Sequence, residues 1–235
     1  MRLETFTQNN VAEFEQFAAP LTIAYKESFK RPPWNEASQC FGADCTPGFR
    51  PEDPGTCCPD CDQPLAEAYD TQELVDQWTT ILAKEDGFME LEINDDNQPL
   101  RATLARPTTP TELFDRKYRA VPEMENWLAE TLPAEFVWIE DTFSDLSKRP
   151  AGNLANRMQT IKNISEYFRD RKIVTRTLAG AIVAATMRDY PKDTTVYVGS
   201  ERVGQDFANT DLSVPDRRTL LVIYNYRRLG WPCEA

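Results

Sequence analysis

A chain of 235 residues is long enough for one large domain with a substantial core and too short for two independent large ones. Its net charge of -12, from 38 acidic against 26 basic side chains, repels a phosphate backbone, so no nucleic acid partner is expected; an acidic surface suits a cationic acceptor, with a charge that only keeps the protein soluble as the plainer alternative. With a mean hydropathy of -0.55 and no run approaching the ~20 apolar residues of a bilayer span, no membrane partner is expected either.

The opening MRLETFTQNN lacks an apolar core of signal-peptide length, which predicts a cytoplasmic location. Histidine is absent, so acid–base chemistry and metal binding fall to Cys, Asp, Glu, Tyr and the backbone.

Residues 1–9 alternate weakly and predict a first strand. Val11, Phe14, Phe17 and Ala18 then recur at helical spacing, with Asn9 or Asn10 as cap, and the helix runs through Leu21 and Tyr25 to Phe29 before Pro32-Pro33 stop it.

Residues 39–66 are different in kind. Cys40, Cys45, Cys57, Cys58 and Cys61 crowd into a Gly- and Pro-rich stretch, while Cys233 stands alone near the end. Cys40-x4-Cys45 and Cys58-Pro59-Asp60-Cys61 read as two knuckles, each turning tightly enough to aim two thiolates at one point. Cys40, Cys45, Cys58 and Cys61 are therefore the expected ligands of a structural Zn2+ with no open coordination position. Cys57 competes with Cys58, since Cys57-x3-Cys61 is also feasible. Disulfides or an iron site of rubredoxin type use the same residues, and docking on a macromolecule is a functional alternative for this segment.

Thr71 opens the next predicted helix, with Leu74, Val75, Trp78, Ile81 and Leu82 on one face. Residues 88–93 and 100–105 flank a polar stretch and predict a β-hairpin. A helix over 111–130 follows, then a buried central strand over Phe136 to Phe143, and a long helix from Leu154 to Arg171. A strand over 172–178, a helix over 179–187 and strands over 194–198 and 219–226 complete the chain. The alternation predicts an α/β fold, a mixed β-sheet with helices on both faces. Residues 1–38 and 67–235 form its main domain, and 39–66 are an insertion.

The passage most informative about chemistry is the strand ending at Phe143, followed by Arg149-Pro150-Ala151-Gly152-Asn153-Leu154 at the mouth of the long helix. Backbone N–H groups and the positive end of a helix dipole meet there, an arrangement that suits an anion such as a pyrophosphate; a simple turn at Gly152 is the plainer alternative.

This strand-loop-helix resembles motif A of the GNAT superfamily of N-acetyltransferases, Gln/Arg-x-x-Gly-x-Gly/Ala before a helix. Arg149 and Gly152 occupy matching positions, and Leu154 stands where the family has Gly or Ala. The segment from Tyr25 to Glu36, with Pro32-Pro33-Trp34-Asn35-Glu36, resembles a GNAT subgroup in which a cysteine-rich insertion follows directly.

The resemblance implies an acyltransferase that moves an acetyl group from acetyl-CoA directly to a primary amine. It implies cofactor contacts at Asp141, Thr142 and Phe143 on the strand and at Arg149, Ala151, Gly152, Asn153 and Leu154 in the loop. A backbone N–H on the strand would polarise the thioester carbonyl. Glu140 is the implied base, directly or through water, with an ordinary strand-end charge as the alternative. Tyr190 is the positional candidate for protonating the CoA thiolate, in competition with Tyr224 and Tyr226, and Trp34 and Glu36 are candidates for lining the acceptor cleft. A non-catalytic CoA-binding or protein-interaction module is the other reading. The apolar pattern leaves room for a homodimer without requiring one.

Overall fold

The computed structural model describes residues 2–31, 34–43, 45, 48–119, 122–145, 154–169, 171–178, 195–198 and 219–224. The expectations for Pro32-Pro33, for Arg149, Ala151, Gly152 and Asn153, for the helix over 179–187, and for Tyr190, Tyr226 and Cys233 lie outside them.

Two compact units divide the chain, Met1–Leu104 with Asp141–Leu154, and Ala105–Glu140 with Ala155–Ala235. Strand β1 (Arg2–Thr7) opens the first, and helix α1 (Val11–Phe29) follows after a single 3-10 turn. The capping device differs from the expected one. The Thr7 side chain accepts from the Asn9 N–H, while Asn10 returns a bond to the Thr7 N–H at 2.8 Å and donates to the Thr5 carbonyl at 3.0 Å. With its side chain engaged backwards, Asn10 sits at the N-cap of α1 without capping it.

Helix α2 (Thr71–Leu82) opens at the expected residue, and Asp70 caps it. The Asp70 carboxylate accepts from the N–H groups of Gln72 and Glu73 at 2.7 and 2.9 Å. Its Leu74, Trp78, Ile81 and Leu82 are buried, as the helical period demands.

Between the two helices lie three short strands, β2 (Ser38–Cys40), β3 (Gly48–Arg50) and β4 (Ala66–Glu67). They make a small antiparallel sheet of their own, in the order β3-β2-β4.

Strand β5 (Phe88–Ile93) pairs antiparallel with β1 from Arg2↔Ile93 to Thr7↔Phe88. The predicted hairpin to β6 (Pro99–Thr108) is present, and β6 runs three residues further than expected. Its turn is set by the Asn94 side chain, which accepts from the N–H groups of Asp96 and Gln98, and by Asn97 in the left-handed region at φ 63°.

Alternation along these strands separates two environments. Met89, Leu91, Ile93, Ala102 and Leu104 join Phe6, Phe14, Leu21 and Trp78 in one apolar core. Glu90, Glu92 and Arg101 take the other parity and are also buried, with Arg101 reaching both carboxylates at 3.3 Å. One guanidinium serving two acids offsets part of the cost of burying these charges.

In the second unit the helix expected over 111–130 is interrupted. It divides into α3 (Pro110–Leu113), a π-helical turn over Phe114–Tyr118, and α4 (Glu123–Thr131). Pro122, which has no N–H for a continuous helix, immediately precedes α4. Leu113, Tyr118, Met124, Leu128 and Leu132 pack with Phe136 and Trp138 of strand β7 (Phe136–Ser144) and Val174 of β8 (Ile173–Leu178). Phe143, of opposite parity on β7, lies in the first core. Helix α5 (Leu154–Phe168) connects β7 to β8, and β9 (Thr195–Val198) and β10 (Thr219–Tyr224) follow.

The large sheet is mixed and seven-stranded, in the order β1-β5-β6-β7-β8-β10-β9. Its β8, β10 and β9 are antiparallel neighbours, whereas β7 and β8 run parallel, joined by α5 as a crossover.

Candidate functional site

Four thiols converge in the insertion. The Sγ atoms of Cys40, Cys45, Cys58 and Cys61 all lie within 4.8 Å of one another, with Cys40–Cys61 at 3.5 Å and Cys45–Cys58 at 3.7 Å. A tetrahedral ion with Zn–S bonds of about 2.3 Å needs sulfurs about 3.8 Å apart, so the donor set fits such an ion.

The surroundings fit it as well. A Cβ at Gly42 would stand 2.6 Å from Cys61 Sγ, so only glycine lets the first knuckle close over the second. The Gly42 N–H donates to Cys40 Sγ at 3.4 Å and Arg50 Nη2 to Cys45 Sγ at 3.3 Å, contacts that stabilise thiolate charge.

Cys58 and Cys61 are shifted in opposite directions. The Asp60 backbone amide is the largest influence holding Cys58 down to about 6. At Cys61 the Gln63 amide acts in the same sense, but burial and three neighbouring thiols overcome it and push the group up to about 12.

Cys57 is exposed and takes part instead in a backbone bridge with Pro64, which separates it from the cluster. None of the five is disulfide-bonded.

On β7 the expected site residues have distinct surroundings. The Glu140 side chain is fully buried and meets three cations: Arg106 Nε at 2.9 Å, Arg116, and Lys117 Nζ at 3.4 Å. Burial alone would raise its pKa, but Lys117, Arg116 and Arg106 together outweigh it and hold the carboxyl below the usual range. Arg106 and Arg116 also reach Glu112, so α3 and the π-helical turn tie this end of the strand into an ion network.

Thr142 Oγ1 donates to Thr103 Oγ1 at 3.3 Å on β6. The Phe143 ring is buried, stacked on Trp78 with centroids 5.7 Å apart, which leaves only its backbone for a ligand. Leu154 is the first residue of α5.

Sequence reasoning missed the partner of Glu36. Its carboxylate accepts from the Tyr69 hydroxyl, and Tyr69 lies edge-on to Tyr25 at 5.0 Å and near Phe49 and Phe29 at 5.4 and 5.9 Å. Burial first, then the charges of Glu36 and Asp141, push the Tyr69 phenol well above its ordinary range, so it stays a donor. The available signal was that Glu36 and Tyr69 flank the cysteine segment on either side.

The parallel ladder of β7 and β8 covers Val137↔Ile173, Trp138↔Val174 and Ile139↔Thr175, and both strands run on past it, to Ser144 and Leu178. Counted along the chain within the large sheet, these are its fourth and fifth strands.

The fold has counterparts among solved structures. A mosquito arylalkylamine N-acetyltransferase like 5b aligns over 95% of this chain and 98% of its own, with a TM-score of 0.51 at 7% identity. The chain carries the GNAT fold.

Two further GNAT-fold structures align more loosely. They are the Drosophila melanogaster polyamine N-acetyltransferase (13% identity, 94% of this chain and 98% of that one, TM-score 0.47) and arylalkylamine N-acetyltransferase 2 from Aedes aegypti (11%, 95% and 97%, TM-score 0.48). No family model and no curated protein matches the sequence. Among the described residues, no helix is long and apolar enough to cross a membrane.

Proposed function

We propose that the protein is an acyl-CoA-dependent N-acyltransferase that moves an acetyl group from acetyl-CoA to a primary, cationic amine by direct transfer. The observation that carries the reading is the short parallel ladder of β7 and β8 within a GNAT fold, closed after three pairs while both strands continue. Backbone groups beyond such a ladder are not consumed by pairing between the two strands and can receive an extended thioester arm.

The Asp141–Phe143 backbone would then hold that arm and offer an N–H to the thioester oxygen, where negative charge develops. The loop holding Arg149, Ala151, Gly152 and Asn153, with Leu154 at the start of α5, would take the pyrophosphate. Tyr190 would return a proton to the departing CoA thiolate.

The amine must lose a proton before it attacks. Glu140 was the base suggested by the sequence, but three cations lower its affinity for a proton. Asp141, next along β7 and half-buried, is the better-placed acceptor in this proposal, acting through water. The four thiolates would hold one structural zinc, which supplies folding free energy to a segment with few apolar residues.

The test is a melting-temperature titration with acetyl-CoA, followed by thiol release in the presence of an amine panel. Acetyl-CoA should raise Tm by several degrees, and at least one amine should stimulate thiol release. A Tm indifferent to millimolar acetyl-CoA would remove the reading. The clamped state of Glu140 favours a second possibility, a CoA-binding module without catalysis, whose signature is a raised Tm with no thiol release.

A further inference from the structure

The cysteine insertion does more in this structure than fold around its own thiols. Its strand β2 begins two residues after Glu36, and its strand β4 ends two residues before Tyr69. The pairs Ser38↔Glu67 and Gln39↔Ala66 bring those two flanks together, and Ser38↔Arg50 and Gln39↔Phe49 bind β3 to the same strand. Ala37 N–H donates to the Arg50 carbonyl at 2.9 Å, which extends this sheet to within one residue of Glu36. The Glu36–Tyr69 hydrogen bond is thus a product of the small sheet, and that sheet is anchored at Cys40 by the thiol cluster.

Around this pair the insertion also supplies an aromatic wall. Phe49, the middle residue of β3, packs against Tyr69, and Phe29 lies between Tyr69 and Trp34, 5.9 Å and 5.2 Å from them. Glu36, Tyr69 and Trp34 are all half-buried, so the group reaches the surface.

A carboxylate bonded to a phenol, with aromatic rings on two sides, is a setting that selects an organic cation. The carboxylate neutralises the charge, the phenol oxygen can accept an N–H, and ring faces attract the ammonium and cover its apolar body.

We propose that Glu36 and Tyr69, held together by the sheet of the cysteine insertion, bind the ammonium group of a primary amine whose apolar body rests on Phe49 and Trp34, so that metal loading of the four thiols controls amine binding. The amine's role as acetyl acceptor rests on the acyltransfer reading; its binding does not. The two can therefore fail separately.

The experiment is direct calorimetric binding of 2-phenylethylamine and putrescine, without acetyl-CoA, to the wild type, Glu36→Gln, Tyr69→Phe and Phe49→Ala. Zinc content and the acetyl-CoA-induced Tm shift are recorded on each protein. Glu36→Gln should weaken the preferred amine about tenfold or more, and Tyr69→Phe and Phe49→Ala about threefold to tenfold, with zinc content and the acetyl-CoA response unchanged.

Removing the metal with a chelator should weaken the amine in the same direction, and restoring zinc should recover it. Wild-type affinity in Glu36→Gln, or a wild type that binds neither amine, overturns the site. Amine binding indifferent to chelation overturns the metal coupling. Amine binding with no acetyl-CoA response leaves this inference standing and removes the acyltransferase reading.

Discussion

Glu140 shows how neighbours decide what a carboxylate does. One residue along the same strand separates a side chain clamped by Arg106, Arg116 and Lys117 from Asp141, which lies within electrostatic reach of Tyr69. A buried acid with a depressed pKa stabilises the fold while it is ionised. Because the folded value lies below the unfolded one of about 4.3, that contribution is complete above this pH and is lost as pH falls through the folded value. Glu140→Gln leaves the buried cation Arg106 without its closest carboxylate and should cost about 3 kcal/mol at pH 7. In urea denaturation the gap between variant and wild type should hold from pH 7 to about 5 and narrow below about pH 4; a gap independent of pH would remove the ion clamp as its cause.

The element with the most independent design is the cysteine insertion. Its strands are too short to persist alone, since β2 and β3 are three residues each and β4 two. Among the described residues its buried side chains are Cys40, Cys45, Cys58 and Leu65, a core made largely of the ligands themselves. A bound ion therefore has to supply most of its folding free energy. Purified protein should contain one zinc per chain by metal analysis. Cys58→Ser should lose it and Cys57→Ser should retain it, because Cys57 is directed to the bridge with Pro64. Zinc lost equally from both variants would mean that the two adjacent thiols are interchangeable. An iron content matching the protein would point to a rubredoxin-type centre instead.

At the scale of the whole molecule, charge governs encounter. A net charge of -12 attracts a cationic amine and repels the polyanionic CoA, both over distances set by the Debye length. If the protein transfers acetyl groups, raising ionic strength from about 0.02 M to 0.3 M should increase KM for a dicationic amine severalfold and leave KM for acetyl-CoA unchanged or lower. Opposite trends in a steady-state salt series would show that local groups override the global field.

Much of the architecture could be read from the chain because it is encoded at short range. The spacing of Phe14, Phe17, Leu21 and Tyr25 marks α1, alternation marks the β5–β6 hairpin, and the knuckle Cys58-Pro59-Asp60-Cys61 marks the thiol site. Each of these signals spans one element or one turn, where backbone geometry ties residue spacing directly to position in space. The clamp on Glu140 and the Glu36–Tyr69 bond needed the folded chain. Their partners lie 34, 24 and 33 residues away for Arg106, Arg116 and Tyr69, and are met only when separate elements pack together. No local pattern reports such a meeting, because tertiary packing chooses the neighbour and the neighbour sets the charge state of the side chain.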